Sequence, residues 1–267
     1  MKNIKVQCPA KINLSLKIKG KRPDGFHEIE SIMQTISLYD YLTIEVAKNT
    51  NNSIELSGNS SQIPYDNRNL VYKAAELFFQ TIKINNTKTK IYIEKNIPVS
   101  AGLAGGSTDA AGILYGLNTI FNNPLSNHEL HELCAQLGSD LNVCLQGGRL
   151  LAQGRGEIIT PLEYEEFNLS IIKPKNLGIS AKEAYTKFTL KNNDKHELST
   201  RNDFVNDLEW AIIKDHNELK HIKITYPEAI MTGSGSAYYI INNTFKNEPD
   251  YITINNLKSI PYGIKSK

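Results

Sequence analysis

Along the N-terminal part of the chain, hydrophobic and polar residues alternate with the period of β-strands. Ile4–Gln7 predicts a first strand. Cys8–Leu16 predicts a second strand, in which Ile12 and Leu14 face one way while Lys11 faces the other. Further runs with strand character lie at Thr43–Val46, Ser53–Ser57 and Thr89–Glu94.

Apolar residues recur at helical spacing in three places, namely Asn69–Phe79, Ala110–Leu117 and Ser126–Leu137. In the third of these, Ser126 and Glu129 have the spacing of a capping box, and Gly138 is placed as a C-cap. Because the helix ends there, Asp140 is expected in a loop just outside it. A strand-like run follows at Val143–Leu145.

The second half of the chain mixes strands and helices again, beginning with a predicted strand at Leu169–Ile172 that ends at Pro174. After it come a helix capped by Ser180, a polar loop at Leu190–Thr200, a helix opening at Asn206 and an apolar run at Tyr238–Ile241. A chain of 267 residues is long enough for one large domain or two ordinary ones.

A glycine-rich stretch at Pro98–Gly112, PVSAGLAGGSTDAAG, joins a predicted strand to a predicted helix. Its glycines let backbone N–H groups approach a ligand closely, and Ser107, Thr108 and Asp109 are expected to cap the helix. With the positive end of that helix, the stretch predicts an anion site, most naturally for phosphates. It matches neither a Walker A loop nor the dinucleotide fingerprint. A loop that caps the helix without any ligand is the alternative, and a second turn at Thr232–Ala237 has the same two interpretations.

Charge and composition argue against some classes of protein, namely nucleic-acid-binding and membrane-spanning proteins. The net charge is +2 and no basic run is interleaved with aromatic residues, which argues against a nucleic-acid partner. No apolar run approaches the roughly 20 residues of a membrane span, and no targeting segment is recognised. The cysteines Cys8, Cys134 and Cys144 form no C-x-x-C motif, which is typical of reduced thiols in the cytoplasm.

A few polar and aromatic residues are candidates for chemistry. Lys11 and Asn13 project from the same face of one strand, where a lysine is most often simply solvated. Phe26 and His27 follow a turn, and this pair is either a core anchor or a platform for stacking a base. A pair of histidines one turn apart on the third helix has no third ligand at hand and is expected on the surface.

Three separated segments resemble the GHMP kinases, the superfamily of galactose, homoserine, mevalonate and phosphomevalonate kinases. They are PAKINL at Pro9–Leu14, PVSAGLAGGSTDAA at Pro98–Ala111 and TGSGSA at Thr232–Ala237. Four more segments are similar to the branch of that superfamily that phosphorylates a cytidine-diphosphate sugar alcohol in the non-mevalonate isoprenoid pathway. These are Gly20–Asp40, LGSD at Leu137–Asp140, GRGE at Gly154–Glu157 and NDLE at Asn206–Glu209.

The resemblance implies an α+β, two-domain GHMP kinase fold with the active site in the cleft between the domains. Residues 1–160 would form a ribosomal protein S5-like, ATP-binding domain, and residues 161–267 a ferredoxin-like domain. That second domain is expected to be trimmed, because the tail after Ile241 shows no amphipathic helix.

The implied activity is ATP-dependent phosphorylation of the substrate's 2-hydroxyl group. Lys11 and Asp140 match the catalytic pair, in which the carboxylate takes the proton of the alcohol. Mg²⁺ would bridge the ATP oxygens, and the Ser107 hydroxyl is a candidate ligand; the resemblance gives no fuller set of metal ligands.

The implied binding residues fall into two groups. Asn13, Phe26, His27 and Tyr185 match the cytidine site, with the two aromatic rings enclosing cytosine and His27 reading its edge. The nucleotide group comprises Asn69, Lys95, Pro98, Val99, Ser100, Ala101, Gly102, Leu103, Ala104, Gly105, Gly106, Ser107 and Thr108.

The sequence departs from the family pattern at Leu141–Val143, where Val-Pro-Phe is usual, at Ala181, where Thr is usual, and at Phe26, where Tyr is usual. The expected partner is the small-molecule substrate alone, without nucleic acid or membrane, for a monomer or a homodimer. Two alternatives stay open: a GHMP kinase acting on an aliphatic alcohol such as homoserine or mevalonate, and a nucleic-acid-binding module built on the S5-like half.

Overall fold

The structure, a computed structural model, describes residues 1–192 and 205–267. The first half of the chain contains β1 (Lys2–Lys21), β2 (His27–Lys48), β3 (Ser53–Gly58), α1 (Leu70–Thr81), β4 (Thr87–Glu94), α2 (Gly105–Ile120), α3 (Asn127–Leu137), α4 (Leu141–Gln146), β5 (Arg149–Gly154) and β6 (Ile158–Pro161). The second half contains β7 (Asn168–Pro174), α5 (Ala181–Asn192), α6 (Asp207–Ile212), α7 (Asn217–Thr225), β8 (Ile230–Met231), β9 (Tyr238–Ile241), β10 (Tyr251–Lys258) and β11 (Lys265–Ser266). The polar loop expected at Leu190–Thr200 lies, from residue 193 onward, outside the described residues.

The strands form two sheets, so the expected α+β class is confirmed. In the first sheet the order is β11-β1-β2-β4-β3. The N-terminal part of β2 pairs with β5, which in turn pairs with β6. The second sheet has the order β10-β7-β9-β8. Since β11 pairs with β1, the chain returns to the first sheet after completing the second.

β1 runs unbroken from Lys2 to Lys21, so the expectation of two separate strands in this region is wrong. Its ladder with β2 shifts register between Pro9 and Lys11, where proline has no N–H group to donate. Such an irregularity bends a strand without ending it. Lys11 is only 2% exposed, because the middle of β1 is buried on both faces.

Three buried apolar clusters hold the molecule together. The first joins helices α1 to α4 to the first sheet and includes Phe78 and Leu114. The second surrounds Trp210 and joins the second sheet to α5, α6 and α7. The third contains Ile12 of β1 and Tyr239 of β9, and therefore packs the two sheets against each other. Burying one such side chain contributes about 1.5–3 kcal/mol.

The run Val143–Leu145, expected to be a strand, lies inside helix α4. A short apolar run does not by itself distinguish a buried strand from a buried helical turn. Here Leu141, Val143, Cys144 and Leu145 are all buried: the helix directs Leu141, Cys144 and Leu145 into the first apolar cluster and Val143 into the second.

None of the helices within the described ranges is long and apolar enough to cross a bilayer. The division into domains at residue 160 stays a prediction.

The capping box of α3 gives a test of local structure. The Ser126 hydroxyl accepts the N–H of Glu129 at 3.3 Å, and the Glu129 carboxylate accepts the N–H of Ser126 at 2.8 Å. We expect Ser126→Ala to lower the free energy of unfolding by about 1 kcal/mol, measured by denaturant titration. His128→Ala is the matched control, since its exposed pair with Glu132 at 3.6 Å contributes little. Equal effects of the two substitutions would contradict the importance of the cap.

Candidate active site

The glycine-rich stretch forms a loop that leads from β4 into α2. The residue before the helix, Ala104, has a left-handed conformation with φ 59°, and no side chain caps the helix. The expectation that Ser107, Thr108 and Asp109 cap the helix is therefore wrong: the first turn begins at Gly105, and the Asp109 carboxylate turns away to Lys95. The Thr108 N–H closes the first helical hydrogen bond, to the Ala104 carbonyl, at 2.9 Å. The backbone N–H groups before Thr108 have no acceptor within the helix, so they are available to bind an anion.

The turn at Thr232–Ala237 packs directly against this loop. A Cβ atom on Gly102, which has φ +73°, would collide with the Thr232 carbonyl oxygen, so only glycine fits there. The Ala237 N–H donates to the Ala101 carbonyl at 3.3 Å. The turn is also tied to the rest of its domain, because the Asn206 amide donates to the Met231 and Gly233 carbonyls at 2.8 and 2.9 Å. The turn at Thr232–Ala237 therefore supports the glycine-rich loop.

Lys11 and Asp140 meet at the loop, as expected for a catalytic pair. The Lys11 Nζ atom lies 3.2 Å from Asp140 Oδ2, 3.1 Å from the Gly102 carbonyl oxygen and 2.7 Å from Asn13 Oδ1. These acceptors match the three protons of the ammonium group. The Lys11 side chain is 3% exposed whereas that of Asp140 is 32% exposed, so the carboxylate is the member of the pair that a ligand reaches.

Asn13 is almost completely buried behind Lys11, at 1% exposure. Its Oδ1 atom accepts from Lys11, its Nδ2 atom donates to the Ser31 hydroxyl at 2.8 Å, and its backbone N–H donates to the Thr232 hydroxyl at 3.0 Å. The residue borders the cavity, but its hydrogen bonds orient the lysine.

Asp140 is held in place by the helices on either side of it. Gly138 ends α3, as predicted, and Asp140 is the residue just before α4. Asn142 stands where the family usually has proline. Its amide donates to the Glu157 carbonyl at 3.0 Å, and its Oδ1 atom lies 3.1 Å from His131 Nδ1. This side chain ties the start of α4 to α3 and to the β5–β6 turn.

The structure brings Phe26, His27 and Tyr185 to the same cavity, but their rings pair differently from the expected arrangement. His27 stacks on Tyr185, with ring centroids 5.1 Å apart and an interplanar angle of 22°. Phe26 faces Arg155 instead, whose guanidinium carbon lies 4.8 Å from the ring centroid. Phe26 is 50% exposed, which excludes the interpretation of this ring as a core anchor.

Hydrogen bonding and burial define the state of the His27 ring. Its Nε2 atom lies 2.8 Å from the Thr189 hydroxyl, which itself donates to the Tyr185 carbonyl at 3.0 Å. The hydroxyl must therefore accept from an Nε2–H, which leaves Nδ1 as the acceptor of the ring. Burial, with the charge of Lys21, lowers the pKa of His27, so the ring is neutral at physiological pH. Burial, with the charge of Asp140, raises the pKa of Tyr185.

Asn69 and Lys95 border the same cavity, but their polar groups are engaged with the protein. Asn69 caps α1 by accepting the N–H of Val71 at 2.9 Å, and it donates to the Pro64 carbonyl at 2.7 Å. The Lys95 side chain is 5% exposed and its ammonium group contacts the carboxylates of Asp40 and Asp109.

These residues surround one cavity of about 920 Å³, within the size range of small-molecule sites. The predicted loop residues from Pro98 to Ser107 border it, whereas Thr108 is fully buried and does not. Polar residues that the sequence did not single out also border it, among them Arg155, Thr189 and Lys21. Arg155 lies in the GRGE segment, to which the resemblance assigned no binding role. In the folded chain this segment lies beside Phe26.

Within residues 1–192 and 205–267 no cluster of three His, Cys, Asp or Glu side chains is arranged to hold a metal ion. The Ser107 hydroxyl and the Asp140 carboxylate do border the cavity. Oxygen ligands this few fit Mg²⁺, which usually keeps several waters and binds through substrate phosphates. A zinc-like site would need more protein ligands.

Comparison with known proteins places this site in a family context. Residues 69–148 match the family model described as GHMP kinases N terminal domain. The 4-diphosphocytidyl-2-C-methyl-D-erythritol kinase of Clostridium tetani is 41% identical over 88% of this chain and 90% of its own length. The enzyme of the same name from Syntrophomonas wolfei is 37% identical over 88% of this chain and 87% of its own.

Solved structures agree with the sequence relatives. A crystal structure of 4-(cytidine 5'-diphospho)-2C-methyl-D-erythritol kinase superposes with a TM-score of 0.71 at 27% identity, covering 88% of this chain and 89% of that one. A homoserine kinase from Cytophaga hutchinsonii superposes with a TM-score of 0.66 at 15% identity, covering 100% and 98%, and shares the fold.

Proposed function

The chain belongs to the 4-diphosphocytidyl-2-C-methyl-D-erythritol kinases, a family of GHMP kinases, and on that premise we propose that it transfers a phosphate from ATP to the 2-hydroxyl of 4-diphosphocytidyl-2-C-methyl-D-erythritol. The product is the 2-phosphate, an intermediate of the non-mevalonate route to isoprenoid precursors. The observation that carries the mechanism is the position of Lys11, whose ammonium group contacts both the phosphate-loop carbonyl of Gly102 and the carboxylate of Asp140.

In this proposal Asp140 accepts the proton of the attacking hydroxyl. The carboxylate lies 3.2 Å from the Lys11 ammonium group and is the more exposed member of the pair, so the alcohol can reach it. As the alcohol loses its proton, Lys11 stabilises the negative charge that develops on the oxygen. Phosphoryl transfer requires mainly such positioning and charge stabilisation, and little covalent chemistry from the protein.

The loop from Pro98 to Ser107 and the first turn of α2 would bind the ATP phosphates through backbone N–H groups. The Ser107 hydroxyl would hold Mg²⁺ together with phosphate oxygens. When bound, the ion neutralises phosphate charge during transfer. Asn69 and Lys95 shape the nucleotide side of the cavity: one caps α1 and the other lies beneath the loop.

Phe26, His27 and Tyr185 would bind the cytidine end of the substrate. A neutral His27 ring with Nδ1 as its acceptor suits the exocyclic amino group of cytosine, which is a hydrogen-bond donor. For the base to lie between Phe26 and Tyr185, the His27 ring must move off the face of Tyr185. Asn13 acts indirectly, by orienting Lys11.

The buried, unpaired thiols of Cys8, Cys134 and Cys144 support a cytoplasmic location. A monomeric or homodimeric state and the lack of a nucleic-acid partner stay predictions.

Gly106 offers the sharpest test of the phosphate loop. A Cβ atom at this position would meet nothing within 4 Å, so Gly106→Val adds bulk to the cavity without disturbing the fold. We expect unchanged thermal stability and a loss of ATP affinity of about tenfold or more, measured by calorimetry. Gly20→Val, at another position with open space, is the control and should bind ATP normally. Normal ATP affinity in folded Gly106→Val would mean that the phosphates bind elsewhere.

For the catalytic pair we expect Asp140→Asn to bind both substrates and to lose turnover by a factor on the order of 10²–10⁴. Lys11→Met should lose a similar factor, and the double variant should lose hardly more, because the two groups act as a unit. Steady-state kinetics on the four proteins measure this. Asp250→Asn, an exposed carboxylate outside the cavity, is the control. Turnover of Asp140→Asn within a few-fold of wild type would remove Asp140 as the base.

Phe26 tests the identity of the substrate. We expect Phe26→Ala to raise KM for the cytidine substrate about tenfold to a hundredfold, because losing a stacking partner costs roughly 1–3 kcal/mol. KM for ATP and the melting temperature should hardly change, and Phe26→Tyr should restore the wild-type KM. Phe78→Ala, at a position with 0% exposure, is the stability control and should cost about 3–5 kcal/mol. Equal changes in both KM values would point to an aliphatic alcohol substrate.

A further inference from the structure

The end of the cavity proposed for cytidine has two walls that come from separate parts of the chain. One is the turn between β1 and β2, which carries Phe26, and the other is the turn between β5 and β6, which carries Arg155. The carboxylate of Glu28, near the start of β2, reaches both. Glu28 is not one of the described residues that border the cavity, and the mechanism above gives it no role.

Glu28 uses one carboxylate oxygen for each wall. Its Oε2 atom accepts from the guanidinium group of Arg22 at 2.8 Å, and its Oε1 atom accepts the backbone N–H of Gly154 at 3.1 Å. Gly154 directly precedes Arg155, whose guanidinium carbon lies 4.8 Å from the centroid of the Phe26 ring. The ladder between β2 and β5 ends at Gly154, so the carboxylate continues the connection beyond the last paired residues.

On the first wall, Arg22 connects Glu28 to the backbone of Phe26. The Arg22 Nε atom donates to Asp24 Oδ2 at 3.1 Å, and Asp24 Oδ1 accepts the N–H of Phe26 at 3.1 Å. The backbone N–H of Arg22 donates to the Phe26 carbonyl at 2.8 Å. Because the Phe26 side chain is 50% exposed, packing does little to hold the ring, and its position depends on these hydrogen bonds.

The electrostatics of the turn agree with a network of charged groups. Hydrogen bonds to Glu28, and then to Asp24, raise the pKa of Arg22. Although desolvation opposes them, the hydrogen bonds from the Phe26 N–H and from Arg22 lower the pKa of Asp24. Arg22 and Asp24 therefore stay charged at physiological pH. An isolated ion pair at the surface contributes little, but several charges joined in a network hold a defined geometry better.

We propose that Glu28 is a positioning residue for the nucleobase: it bridges the two walls and thereby holds the Phe26 ring in the orientation that stacks on cytosine. This inference rests on the proposed binding of the cytidine end of the substrate at Phe26. A ring that is already in place loses little freedom when the base binds, and such preorganisation increases affinity. The bridge therefore contributes to affinity for the cytidine substrate and not to affinity for ATP.

The effect of charge alone has the opposite sign, which separates the two explanations. The substrate carries a negatively charged diphosphate, and a carboxylate near its site repels it. If Glu28 acted only through its charge, removing that charge would lower Kd for the substrate. Loss of the bridge raises Kd instead. Glutamine tests this because it has nearly the same shape as glutamate but only one acceptor oxygen, so it cannot accept from both walls.

The experiment measures Kd for the cytidine substrate by calorimetry without ATP, together with KM for ATP and the melting temperature. We expect Glu28→Gln to raise Kd about fivefold and to leave the other two quantities nearly unchanged. Glu30→Gln is the matched control. Glu30 lies on the same strand, its side chain is 44% exposed against 42% for Glu28, and it pairs with Lys19 of β1 at 2.9 Å. This variant should bind the substrate as wild type does.

A double variant shows whether Glu28 acts through the aromatic ring. In the Phe26→Ala background no ring is left to position, so Glu28→Gln should change Kd by less than about twofold. A residue that contacts the substrate directly would keep its full effect in that background. The difference between the two backgrounds therefore measures the coupling between Glu28 and Phe26.

The outcomes separate this inference from the proposed function. An unchanged or lower Kd in Glu28→Gln, an equal rise in Glu30→Gln, or a full rise in the Phe26→Ala background would overturn the role of Glu28. A parallel rise of KM for ATP, or a clearly lower melting temperature, would do the same, because it would indicate a general structural effect. Wild-type protein that does not bind the cytidine substrate would overturn the proposed function and the inference with it.

Discussion

The ammonium group of Lys11 is the charge around which the active site is assembled. Burying it would cost several kcal/mol if it were unpaired. Its three acceptors come from three separate parts of the chain: Asn13 from β1, Gly102 from the phosphate loop and Asp140 from the start of α4. None of these parts can be displaced without leaving the charge incompletely compensated. The energetic demand of one buried cation thereby sets the distance between the glycine-rich loop and the carboxylate of Asp140.

The glycine-rich loop that precedes α2 itself contains unfavourable backbone geometry. Ser100, Gly102 and Ala104 all have positive φ, which costs free energy at the two positions that are not glycine. The turn at Thr232–Ala237 presses on one side of the loop, and Lys95 with its two carboxylates lies beneath the other. Held in this way, the N–H groups of the first helical turn need little reorganisation when a phosphate binds, which is the condition for strong electrostatic stabilisation.

Local signals in the sequence were enough for much of the fold. The capping box at Ser126 and Glu129 was predictable because a cap depends on residues within one turn of each other. The motif resemblance likewise paired Lys11 with Asp140, and their charged groups lie 3.2 Å apart. The predictions that were wrong concern residues whose structure depends on contacts with distant parts of the chain. The helical state of Val143–Leu145 is decided by packing against α2, which no short window of sequence contains.

The aromatic cluster and the buried ionic group illustrate the same limit. His27 lies on Tyr185 because the start of β2 and helix α5 meet, and Arg155 contacts Phe26 because the turn that follows β5 lies beside that ring. The sequence gives Asp40 only as the end of a family-like segment and Asp109 only as a candidate helix cap, and neither pattern predicts a contact with Lys95. Only their shared contact with Lys95 distinguishes them from carboxylates at the surface.

The pairing of β11 with β1 has a consequence for the way this protein folds. Val6 and Gln7 pair across the sheet with Ser266 and Lys265, so the edge of β1 is covered by a segment that is far from it along the chain. Contacts so distant along the chain are slow to form, and until then the edge of β1 is open to strands from other molecules.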